Sequence, residues 1–91
     1  MNEMIYDQLI KKEAKLALVG LGYVGLPIAL EFAKTVKVVG FDINEKRVDL
    51  MRNGIDPSRE LANSDFQDKD IHFTSNMADL KDVNFFIFSV P

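Results

Sequence analysis

The run Gly20-Leu21-Gly22-Tyr23-Val24-Gly25 has the spacing G-x-G-x-x-G. Glycines so spaced bring bare backbone against a charged group. The first allows a sharp turn, the second lets the chain approach a pyrophosphate, and the third lets a following helix pack closely on the preceding strand. Backbone N–H groups at the start of that helix, with its dipole behind them, stabilise phosphate charge. Asp42 stands 22 residues after Gly20. A carboxylate there, at the end of a second strand, can accept hydrogen bonds from the ribose hydroxyls of an adenine dinucleotide. It also repels a 2′-phosphate, which points to NAD rather than NADP. No basic residue follows Asp42 directly; Lys46 and Arg47 come on the next helix.

The glycine spacing alone is a weak signal, and turns of this kind also occur without ligands. Here four conditions coincide: a strand before, the spacing itself, a helix after, and an acid at the end of the next strand. The other polar residues read as structural. His72, the single histidine, reads as a strand residue and not as a catalytic base. Asp65, Asp68 and Asp70 lack the glycine and terminal glutamate of a calcium loop and read as a solvated connection. Tyr23 is expected to contribute its backbone N–H in the glycine loop more than its ring. Met51 and Met77 read as core filler.

These residues need a scaffold that alternates in type. Residues 15–19 are short, apolar and end at glycine, the pattern of a buried strand. Tyr23 to Thr35 predicts a helix, with Pro27 in its first turn, where a missing N–H is tolerated. Its apolar face would carry Ile28, Ala29, Phe32, Ala33 and Val36. Residues 37–41 form a second strand ending at Asp42. Asn44 is expected to cap a helix running to about Asn53, with Gly54 just past its end. Residues 55–70 read as a charged surface connection. Ile71 to Thr74 predicts a strand, Asn76 to Leu80 a short helix. The continuous run Phe85-Phe86-Ile87-Phe88 predicts a strand covered on both faces. Residues 1–14 read as an N-terminal extension or peripheral helix, with Ile5, Leu9 and Ile10 as its stripe. The expected fold is α/β: a Rossmann-like parallel sheet in the order 3-2-1-4, with helices on both faces and truncated after the fourth strand.

Composition narrows the classes. Ninety-one residues allow one small domain. Apolar residues are 47%, charged residues 27% and the formal net charge is −3, so nothing basic points to nucleic acid. Cysteine is absent, which excludes disulfides, thiolate metal sites and a cysteine nucleophile from these residues. No secretory signal or membrane span is visible, so a cytoplasmic protein is expected.

With KLALVGLGYVGLPIALEFAK, VVGFDINEKRVDLMRNGIDPSRE and FFIFSVP together, the chain resembles the N-terminal part of the UDP-glucose/GDP-mannose 6-dehydrogenase family. Its wording is most similar to bacterial members acting on UDP-N-acetyl-hexosamines of the galactosamine type. The resemblance spans about residues 6–91. It implies an enzyme that oxidises the C6 hydroxyl of a UDP-sugar to a carboxylate with two NAD, for surface polysaccharide synthesis. It implies a cofactor site in which Gly20, Gly22, Tyr23, Val24 and Gly25 hold phosphate. Asp42 would hold the adenosine ribose with Arg47 at the same end, and Ser89, Val90 and Pro91 would begin a loop beside the cofactor.

Residues 15–91 are then expected to be the front part of the NAD-binding domain. The central helix, the C-terminal domain, the catalytic cysteine and the sugar site are expected to lie outside this chain, which alone would be inactive. The whole enzyme is expected to be a homo-oligomer, and the fragment to self-associate. Two rivals stand beside this reading. One is another NAD-linked dehydrogenase, of the 6-phosphogluconate or hydroxyacyl-CoA type. The other is a non-catalytic NAD(H)-sensing module.

Overall fold

The computed structural model describes residues 14–89. The expected helix over residues 1–14, apart from Ala14, and the candidate residues Val90 and Pro91 lie outside them. Four strands alternate with helical elements: β1 (Lys15–Val19), α1 (Gly25–Phe32), β2 (Lys37–Phe41), α2 (Glu45–Arg52), a 3-10 turn at Asn63–Phe66, β3 (Ile71–Thr74), a second 3-10 turn at Met77–Leu80, and β4 (Phe85–Phe88). The strands form one parallel sheet in the order β3-β2-β1-β4, the order that the alternation of strands and helices predicts.

The register explains the core. Leu18 lies opposite Gly40 and Ile87, and Gly40 opposite Phe73, so these residues share one face of the sheet. Leu16, Val38 and Phe85 form the neighbouring row on that face. Against it pack Leu26, Ala29, Leu30 and Ala33 around α1, and Val48 and Met51 of α2. Burying a leucine fully contributes about 1.5–3 kcal/mol. Leu16, Leu18 and Leu21 are all fully buried, which makes this layer the main source of stability.

Local signals set the ends of the helices. Asn44 accepts from the Arg47 N–H at 3.2 Å and caps α2. Beyond its end, Gly54 and Ile55 donate to the carbonyls of Met51 and Leu50, a paired C-terminal closure. Helix α1 is shorter than its apolar pattern predicts. Tyr23 and Val24 still belong to the preceding turn, and Thr35 and Val36 both donate to Phe32 in a tightened exit. The buried side of α1 carries Leu26, Ala29 and Leu30, whereas Ile28 is exposed.

The second face corrects two expectations. Phe86 and Phe88 are exposed, 43% and 70%, while Phe85 and Ile87 are half-buried. The apolar run in β4 is thus covered on one face only among the described residues. The row Thr74, Phe41, Val19, Phe88 lies on this second face; among the described residues the turn Met77–Leu80 and Lys81 reach it, lining a hollow with Val19, Phe41, Phe86 and Phe88. Met77 is 73% exposed and is not core filler, whereas Met51 is 1% exposed. A single 3-10 turn is too short to lay a continuous apolar stripe across a sheet.

Met51→Ala should cost about 2–5 kcal/mol, the range for truncating a buried methionine. Met77→Ala should stay within about 0.5 kcal/mol of the parent. Urea unfolding of the two variants reads both, and equal losses would contradict this placement of the core.

Candidate functional site

The glycine run leaves β1 at its C-terminal end and enters α1, and its backbone explains the spacing. Gly20 has φ +96°, and a Cβ there would meet the Ser89 carbonyl oxygen at 2.6 Å. A Cβ on Gly25 would lie 1.9 Å from the Gly20 carbonyl oxygen. These two glycines are therefore required by the chain itself. Gly22 differs: a Cβ there would meet nothing within 4 Å. The fold leaves that space open, as a backbone that receives a ligand closely would need.

Between them, Leu21 is anchored at three points. Its side chain is fully buried. Its N–H donates to Asp42 Oδ2 at 3.1 Å. Its carbonyl accepts from Arg47 Nη2 at 2.9 Å. Asp42 is held in turn: Oδ1 accepts from the Asn44 N–H at 2.9 Å, and the Arg47 guanidinium lies 3.9 Å from Oδ2. An ionised carboxylate has roughly four acceptor positions, so Asp42 keeps acceptor capacity for a ligand beyond its two N–H partners. The sequence signals a ligand role for Asp42; its grip on the loop depends on tertiary closure and carries no local mark.

Gly20, Leu21, Gly22, Tyr23, Val24, Asp42, Arg47, Ser58 and Ser89 line one groove of about 530 Å³. Among the described residues, the N–H groups of Gly22, Tyr23 and Val24 donate no hydrogen bond within the chain. Three free donors thus stand at the start of α1, where its dipole adds positive potential. Gly25 stands behind the groove as a packing residue. A hollow of about 590 Å³ surrounds the C-terminal end of α2, but it contains neither the glycine loop nor the Asp42–Arg47 pair.

The sequence reading missed Ser58, which reaches the groove from the connection after α2. The signal was Asp56-Pro57-Ser58, an Asp two residues before a serine, which favours an Asx turn. Asp56 is 4% exposed. Its Oδ1 accepts from the Ser58 N–H at 2.9 Å and the Ser58 hydroxyl at 2.7 Å. Its Oδ2 accepts from the N–H groups of Glu60 and Leu61, each at 2.9 Å. Burial pushes its pKa up, but the Ser58 hydroxyl and the backbone donors of Ser58, Leu61 and Glu60 together outweigh it and hold the carboxyl below its ordinary 3.8. His72 is exposed on β3, with Nε2 3.3 Å from Asp79, away from the groove.

The NAD-binding domain of the UDP-glucose/GDP-mannose dehydrogenase family matches residues 14–91. The chain is 45% identical over 80 residues to the UDP-N-acetyl-D-glucosamine 6-dehydrogenase of Salmonella typhi, covering 87% of this chain and 19% of that protein. It is 48% identical over 81 residues to the enzyme of the same name from Pseudomonas aeruginosa, covering 88% and 19%. The native structure of the UDP-N-acetyl-mannosamine dehydrogenase Cap5O from Staphylococcus aureus superposes with TM-score 0.68 at 33% identity, over 86% of this chain and 20% of that one. The chain spans about a fifth of the length of the relatives it matches.

Folding lowers the pKa of Asp56, so its charged form stabilises the fold above the unfolded value near 3.8, and this contribution is lost as pH falls through the folded value. Asp56→Asn should therefore be less stable than the parent at pH 7, with the gap narrowing below about pH 4. Urea midpoints across pH 7 to 2 read this; a gap that stays constant would contradict it.

Proposed function

The chain belongs to the UDP-glucose/GDP-mannose dehydrogenase family, and from that premise we propose that its groove is the cofactor site of a nucleotide-sugar 6-dehydrogenase, filled by NAD. The observation that carries this reading is the open space at Gly22 beside three N–H groups that find no acceptor among the described residues. In it, the N–H groups of Gly22, Tyr23 and Val24 donate to the pyrophosphate oxygens. Fixed backbone dipoles do this with little reorganisation, because Leu21 is already held by Asp42 and Arg47.

Asp42 accepts from the adenosine ribose hydroxyls with its remaining lone pairs. Its charge, 15% exposed, repels a 2′-phosphate and favours NAD over NADP. Arg47 holds the same end, and Ser89 flanks the cofactor from the β4 side. NAD, when bound, accepts hydride; these residues bind and orient it.

The protein that carries these residues oxidises the C6 hydroxyl of a UDP-N-acetyl-hexosamine to a carboxylate with two NAD, for surface polysaccharide. The activities named for the relatives and the Staphylococcus aureus protein named CapL, 46% identical, support that reading. The chain holds no cysteine, so the catalytic thiol that the family resemblance implies is not among these 91 residues. Among the described residues no helix is long and apolar enough to cross a membrane, and the proposed setting is the cytoplasm.

The same reading covers association. Strand β4 pairs only with β1 among the described residues, and the rings of Phe86 and Phe88 stack, centroids 6.2 Å apart, on the exposed face. Such an edge recruits another polypeptide. The 91-residue chain alone should self-associate there, and the whole enzyme should be a homo-oligomer. Mean mass from light scattering should rise with concentration of the chain and rise less in Phe88→Lys; a constant monomer mass would contradict this.

Two variants test the cofactor site by titration calorimetry. Gly22→Val should lose NAD binding and keep its circular dichroism spectrum, since the added side chain meets only open space. Asp42→Asn should weaken NAD, with each lost charged hydrogen bond costing about 1.5–3 kcal/mol, and should narrow the preference over NADP. Unchanged NAD affinity in both would overturn the assignment.

A further inference from the structure

Ser58 is the groove residue that the glycine loop and the acid do not account for. Its hydroxyl donates its single proton to Asp56 Oδ1 at 2.7 Å, because an ionised carboxylate can only accept. What Ser58 offers the groove is therefore lone pairs alone. Such an oxygen repels phosphate and attracts a hydrogen-bond donor.

The place of Ser58 narrows the donor. In the order β3-β2-β1-β4 the glycine loop follows the central strand β1. Ser58 comes from the connection between α2 and β3, on the side that carries Asp42 and Arg47. Ser89 lies on the other side, after β4. Ser58 thus shares its wall with the ribose-facing acid.

The turn that presents it is specified in detail. Asp56 takes four hydrogen bonds, from Ser58 twice and from Glu60 and Leu61. Arg59 between them has φ +59°, a left-handed conformation that a side chain rarely adopts without support. Its N–H donates to the Asp56 carbonyl at 2.9 Å. A solvated surface connection has no need of a buried carboxylate closing a strained turn beside a cofactor groove.

Resting on the cofactor reading above, we propose that Ser58 is a further specificity-determining contact, an acceptor-only hydroxyl that receives a hydrogen bond from the adenosine half of the dinucleotide. Asp56 is its positioning residue, fixing both the turn and the direction of the hydroxyl proton. The adenosine half has three donors that suit this oxygen: the 2′-hydroxyl, the 3′-hydroxyl and the 6-amino group.

The test is a cycle of variants against ligands, by calorimetry on the full chain. Ser58→Ala keeps the backbone bond to Asp56 and hence the turn, which circular dichroism and the urea midpoint check. The ligands are NAD and three analogues that each lack one of those donors. Ser58→Ala should weaken NAD roughly 3- to 10-fold, and that penalty should vanish for one analogue, which identifies the donor. Ser58→Thr should restore NAD affinity and the same analogue pattern, and Asp56→Asn should reproduce the pattern of Ser58→Ala. A merely structural role would weaken all four ligands equally, and that result overturns the proposal. So does unchanged affinity in Ser58→Ala while Gly22→Val loses NAD, an outcome that leaves the cofactor reading standing. If Gly22→Val binds NAD like the parent, the cofactor reading itself fails and this contact with it.

Discussion

A side chain on Gly25 would place its first carbon 1.9 Å from the carbonyl oxygen of Gly20, so the start of α1 and the end of β1 can meet at that distance only through a bare backbone. The whole C-terminal edge of the sheet follows from this contact. It draws the helix down onto Leu18. It forces the intervening residues into a tight loop whose only large apolar side chain that turns inward is Leu21, fully buried. With Leu21 pinned, the next three N–H groups face outward at the positive end of a helix. The proposed phosphate site is thus a by-product of packing one helix against one strand.

Asp42 and Arg47 make that loop a rigid one. Each holds one polar group of the Leu21 peptide backbone, the acid its N–H and the arginine its carbonyl. Hydrogen bonds to charged groups are worth about 1.5–3 kcal/mol each, enough to hold a loop of a few residues in place. The acid therefore has two duties, the shape of the glycine loop and the proposed hold on ribose. A change at Asp42 disturbs both at once, and NAD preference alone does not isolate the second duty. The fold's main layer, Leu16 and Leu18 with the two helices above them, supplies the stiff base on which these bonds act.

Much of this was legible in the sequence because it rests on local pattern. Strand and helix order follow from apolar runs broken by glycine. The cap at Asn44 and the closure at Gly54 follow from residue type next to a helix end. The G-x-G-x-x-G run lies between a strand and a helix, as its spacing predicts. What was not legible depends on layers and on long-range closure. A continuous run such as Phe85 to Phe88 does not say which face has a partner, and here alternate residues are exposed. Met51 and Met77 look alike in sequence but sit on the buried side of an eight-residue helix and on a four-residue turn. The bonds from Asp42 and Arg47 to Leu21 span 21 and 26 residues, and Ser58 reaches the groove only because Asp56 folds its turn back. The family, matched over residues 14–91, agrees with the part that local pattern carried.

The central claim is that bound NAD rests its pyrophosphate on the backbone of the glycine loop. Amide proton–nitrogen spectra of the isotope-labelled chain, recorded as NAD is added, read that contact atom by atom. The account predicts large, saturable shifts at the N–H groups of Gly22, Tyr23 and Val24, with the amides around the hollow at Gly54 and Phe66 unmoved. Shifts confined to that second hollow, or none at the glycine loop at saturating NAD, would contradict it.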